Sequence, residues 1–71
     1  MRQFEGREKV FNFMTGRMMP VTVYYEYVPG RTGTYRAEVE EKINTVTVAS
    51  IGNTYDEAVE RLQRRLQSLA S

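Results

Sequence analysis

From residue 55 onward, apolar side chains recur at spacings of three and four: Tyr55, Ala58, Val59, Leu62, Leu66 and Leu69 make one stripe, with Arg, Gln and Glu around the rest. That period predicts an amphipathic helix over Tyr55 to Leu69. Thr54 followed three residues later by Glu57 is a capping box, in which each side chain can accept from the other residue's backbone N–H. Gly52-Asn53 supplies the turn before it. Asp56 and Glu57 lie at the positive end of the helix dipole and Arg64 and Arg65 nearer the negative end. Glu57/Arg61 and Glu60/Arg64 are favourable i,i+4 pairs.

Upstream the period drops to two. Val21, Val23, Tyr25 and Tyr27 alternate with Thr22, Tyr24, Glu26 and Val28, which predicts a half-buried strand. Pro29-Gly30-Arg31-Thr32-Gly33 breaks it and reverses the chain. Tyr35, Ala37 and Val39 then face one way, and Thr34, Arg36, Glu38 and Glu40 the other. A third run, Thr45 to Ile51, changes apolar parity between Val48 and Ala49, which suggests a bulge or the end of regular pairing there. The expected fold class is α+β: a three-stranded antiparallel meander with the C-terminal helix laid on one face, across Val21, Val23, Tyr25, Tyr27, Tyr35, Ala37, Val39 and Val46.

Residues 1–19 read as an extension for docking or dimerisation ahead of a 20–71 β-β-β-α domain. Val10, Phe11 and Met14 fit one face of a short helix; Val10 to Thr15 fit a strand equally well. Phe4, Phe11, Phe13, Met14, Met18 and Met19 are too apolar for a solvated tail, so part of the segment is expected to cover its own sheet or a second copy. In the alternative reading translation starts at Met18 or Met19, and the preceding segment would then have no evolved role.

The chain has 71 residues with neither cysteine nor histidine. Disulfides, thiolate chemistry, imidazole catalysis and the usual zinc sites are thereby excluded. A domain this small hides only about 60 % of its unfolded surface, so self-association or a partner is the expected remedy. Ten Lys+Arg against nine Asp+Glu give a net charge of +1, and nothing global points to nucleic acid or an anionic membrane. The N-terminus carries mixed charge where a secretory signal would be apolar, and no apolar run approaches the roughly 20 residues of a membrane span. A cytoplasmic protein without a cofactor is the expectation.

Gly33-Thr34-Tyr35-Arg36-Ala37-Glu38-Val39, followed by Ser50-Ile51-Gly52-Asn53-Thr54-Tyr55-Asp56-Glu57-Ala58, resembles the HicB family of antitoxins over roughly residues 20–67. The resemblance implies a β-β-β-α fragment of ribonuclease H-like shape, without nuclease activity, that blocks a small basic RNA-cleaving toxin. Glu40 to Asn44 replace the family's proline- and glycine-containing loop, and no DNA-binding segment follows Ser71, so autoregulatory DNA binding is not expected. Ribonuclease H-type cleavage needs clustered carboxylates around two metal ions. Asp56 is the one aspartate, and Glu38 and Glu40, although on one strand face, read as solvated strand residues.

A second, topological resemblance arises if residues 5–15 are helical: α-β-β-β-α is similar to a double-stranded RNA-binding domain. Such domains place lysines at the start of their last helix. Tyr55, Asp56 and Glu57 stand there instead, and the carboxylates would repel phosphate. RNA binding is therefore the alternative reading, and a structural oligomerisation unit the next. The preferred contact surface is the sheet face away from the helix. Tyr24, Glu26, Val28, Arg36, Glu38 and Glu40 would make it predominantly acidic, suited to a small basic protein or covered by a second copy.

Overall fold

A computed structural model describes all of residues 1–71. The chain forms β1 (Arg2–Asn12), β2 (Arg17–Glu26), β3 (Thr34–Val39), β4 (Ala49–Gly52) and α1 (Tyr55–Leu69). One antiparallel sheet runs in the order β1-β2-β3-β4, with α1 on one face. The predicted three-stranded meander is thus four-stranded, because the N-terminal segment is a strand that docks on its own sheet. The helix that an RNA-binding-domain order requires over residues 5–15 is absent. β1 joins β2 through a turn at Gly16, whose N–H donates to the Asn12 carbonyl at 2.9 Å.

Alternation puts Val10, Met19, Val21, Val23, Ala37, Val39 and Val48 beneath Ala58, Leu62 and Leu66, and these residues form the buried core. Tyr35, Tyr55 and Val59 pack around it. Four positions expected in the core differ. Tyr25, Tyr27 and Tyr35 are only half-buried, and Val46 is 58 % exposed.

Val46 is displaced because the third run is not one strand. Residues 43–46 make a tight two-residue turn: Ile43 and Val46 exchange both backbone hydrogen bonds around Asn44 and Thr45, which carry φ of 51° and 67°. Regular pairing begins at Ala49, where an end or a bulge was expected. The bulge of this sheet lies instead in β1, between Phe4 and Gly6.

The predicted helix is realised from Tyr55 to Leu69. Thr54 Oγ1 accepts from the Glu57 N–H at 3.1 Å, but the return half of the capping box goes one residue further back, from the Asn53 N–H to Glu57 at 3.3 Å. Both i,i+4 ion pairs form. Gly52 is where strand meets helix most closely: a Cβ there would lie 2.6 Å from the Ala58 nitrogen and 2.9 Å from the Glu57 carbonyl carbon. Any other residue would push the helix start off the sheet.

Each sheet edge is clamped at one point by a side chain of α1. Gln63 behaves like one residue of a fifth strand: its amide accepts from the Phe11 N–H at 2.8 Å and donates to the Phe11 carbonyl at 2.7 Å. On the far edge, Arg61 donates to the Ile51 carbonyl at 3.0 Å. Exposed strand edges invite pairing with other chains, and both devices occupy groups that would otherwise be offered.

Candidate functional site

The face away from α1 is built by the residues that alternate outward. Registers place Arg2 beside Glu26, Phe4 beside Tyr24, Arg7 beside Thr22 and Lys9 beside Pro20; Glu26, Tyr24 and Thr22 in turn stand beside Thr34, Arg36 and Glu38. Ile51 completes the row next to Arg36. One row therefore runs Phe4–Tyr24–Arg36–Ile51 across all four strands.

Of the residues expected to meet a partner, Tyr24, Glu26, Arg36, Glu38 and Glu40 do share this face. Val28 does not. It lies beyond the end of β2, 62 % exposed in the turn that Arg31 closes onto its carbonyl.

The expectation of an acidic surface is corrected by β1. Arg2 pairs with Glu26 at 2.9 Å and reaches Glu38 at 3.5 Å, while Arg36 holds the same Glu38 oxygen at 2.8 Å. Arg7 spans β2 to meet Glu40 at 2.8 Å. Its hydrogen bond to Glu40 draws that carboxyl below the usual range and raises the Arg7 guanidinium. The hydrogen bond to Glu26 likewise raises Arg2. The face carries Arg2, Arg7, Lys9 and Arg36 against Glu26, Glu38 and Glu40, a near balance rather than an acidic field. Glu38 and Glu40, the pair weighed as a cation site, each face an arginine, and no cluster of three or more acidic residues suited to a metal exists in the chain.

Between the charges lie apolar groups. Phe4 and Tyr24 meet edge to face with ring centres 6.4 Å apart, and the Arg2 guanidinium sits 4.4 Å above the Tyr24 ring. Phe4 and Ile51, at opposite ends of the row, remain 59 % and 47 % exposed.

Sequence reasoning missed Arg2, Phe4, Arg7 and Ile51. The bulge explains the first three: Arg2 and Phe4 face outward on even positions, Arg7 and Lys9 on odd ones, so no single alternation runs through the segment. The Glu5-Gly6 step was the available signal.

A second cluster occupies the other face at the start of α1. Tyr25 stacks near Tyr27 and Tyr35, with ring centres 5.5 and 5.1 Å away, and Tyr35 meets Tyr55 at 6.4 Å. The Tyr25 hydroxyl accepts from the Gly33 N–H at 2.9 Å, and a Cβ on Gly33 would fall 2.7 Å from the Tyr25 ring. Tyr55 donates to Glu8 at 2.8 Å; burial first, then that bond, pushes its phenol up to about 12. These contacts are internal and brace the hairpin against the helix.

No helix is long and apolar enough to cross a membrane. No family model matches the chain, and neither a curated protein nor a solved structure matches it.

Proposed function

We propose that this chain is a non-enzymatic binding domain that works by protein–protein contact through the open face of its sheet. The observation that carries the reading is the Phe4–Tyr24–Arg36–Ile51 row, which leaves two large apolar side chains exposed on a surface whose charges, Lys9 apart, are paired. Aromatic and arginine residues are enriched at the centres of contact surfaces, and here Tyr24 and Arg36 lie between the exposed Phe4 and Ile51. Against a catalytic role stands the engagement of Glu26, Glu38 and Glu40 by arginines.

The antitoxin-like form of this reading is supported by the β-β-β-α order of β2, β3, β4 and α1, and by the crowding at Gly33 and Gly52, the glycines of the HicB-like segments. With the carboxylates neutralised from β1, a basic partner would be held by apolar contact and exchange of ion pairs more than by net attraction. Co-expression with a short basic protein encoded beside this gene is the test. Co-purification and relief of that protein's toxicity, both lost in Phe4→Glu, are expected. Absence of any bound protein, together with a Phe4→Glu chain indistinguishable from wild type in every association assay, would remove the reading.

A further inference from the structure

Resting on that reading, we infer that the first partner of the open face is a second copy of this chain, packed sheet to sheet about a two-fold axis parallel to the strands and centred between β2 and β3. The charge pattern selects this arrangement. An isologous interface sets each row against its own reverse. About this axis, Phe4 of one copy lies opposite Ile51 of the other, an apolar contact that occurs twice, and Tyr24 lies opposite Arg36.

In the next rows Thr22 meets Glu38 and Glu26 meets Thr34, so no charge faces its like. The other two-fold arrangements fail on the same residues. Moving the axis onto β2 stacks Glu26 on Glu26. Turning it across the strands stacks Arg36 on Arg36 or Glu38 on Glu38 where it passes through their rows, and at any height lays the basic column of Arg2, Arg7 and Lys9 on itself. Like charges brought face to face at an interface are destabilising.

The fold gives such a dimer its motive. Only 12 of 71 residues are buried, and α1 can cover one side of the sheet. Aligned packing of two sheets at about 10 Å spacing would close the other side. Each edge is held at one residue, Phe11 by Gln63 and Ile51 by Arg61.

Sedimentation equilibrium of wild type, Phe4→Glu, Ile51→Arg and the double variant tests both the dimer and its register. Phe4 and Ile51 sit on opposite edge strands, about 14 Å apart at the usual strand spacing, so they cannot pair within one copy. Wild type is expected to dimerise, and each single variant to weaken the dimer about tenfold or more by setting a charge on an apolar group. The double variant should recover most of the loss, because Glu then faces Arg across the axis.

Since the chain has no cysteine, Phe4→Cys with Ile51→Cys and a short thiol cross-linker gives a second reading that needs no charged substitution. Covalent dimers should form from the double-cysteine chain and not from Phe4→Cys alone. A wild type that stays monomeric at millimolar concentration overturns the inference, as does a double variant no better than the single ones. A monomer that still binds the co-expressed basic protein through Phe4 would overturn the dimer while leaving the binding role intact.

Discussion

The two faces of this sheet are made by the same four strands, yet they hold themselves together by different physics. Beneath α1, Val21, Val23, Ala37, Ala58, Leu62 and Leu66 lose all contact with water, and no buried side-chain polar atom lacks a partner. On the opposite face nothing is so deeply buried. Arginines from β1 bridge to Glu26 and Glu40 on other parts of the sheet, Arg36 pairs with Glu38 along its own strand, and Phe4 and Ile51 remain open. Burial of apolar surface stabilises by roughly 25 cal/mol per Å², whereas an exposed ion pair contributes about 0–1 kcal/mol. The covered face therefore holds the fold, and the open face is left free for contact.

Substitutions that separate the faces should show the largest effects first. Leu62→Ala removes a fully buried side chain and is expected to cost about 2–5 kcal/mol in urea unfolding. Phe4→Ala, of larger volume change but on the open face, should cost under about 1 kcal/mol at concentrations where the chain is monomeric. Equal losses would mean that the open face is as much a part of the folded core as the covered one.

Gln63→Ala withdraws both hydrogen bonds from Phe11 and should cost about 1–2 kcal/mol, with faster amide exchange at Phe11 and a rise in light scattering as the edge opens. Unchanged exchange at Phe11 would show that the clamp is dispensable.

Tyr55 ties β1 to α1, and its ionisation sharpens the comparison by pH. Its folded value lies above the ordinary 10.0, so its contribution is complete below pH 10 and is lost as pH rises toward about 12. Thermal melts from pH 8 to 12 should show a steeper alkaline decline for wild type than for Tyr55→Phe.

The smallest effect belongs to the open face. Glu40 is held below the usual carboxylate range, so its contribution is present above that range and fades as pH falls through its lowered folded value. Arg7→Ala should therefore change the melting temperature by only a few degrees, and that difference should shrink in high salt and in acid.

Strong local periodicity made α1 legible from its first residue to its last, along with its cap and its ion pairs. β2 and β3 were legible for the same reason, and their alternation correctly assigned Tyr24, Glu26, Arg36, Glu38 and Glu40 to one face. β1 was not. Its apolar residues fit two periods over residues 10–15, and the bulge at Glu5-Gly6 reverses the parity of everything before it. Nor was the electrostatic character of the open face, because Arg2 and Arg7 meet Glu26 and Glu40 only through pairings between residues 24 and 33 positions apart. Thr45-Val46-Thr47-Val48 has every local mark of a strand, yet residues 43–46 close on themselves as a turn and leave only Val48 to the core.

Composition and periodicity alone determined that this protein would be a thin α+β domain, free of thiol and imidazole chemistry, with one helix covering one side of a sheet. Those properties follow from which residues are present and how they repeat within a few positions. Tertiary structure alone decided that a fourth strand completes the sheet, that its arginines neutralise the open face, and that Phe4 and Ile51 end one row. Each of those depends on register between distant strands, and a single bulge in β1 shifts that register by one residue and exchanges the faces.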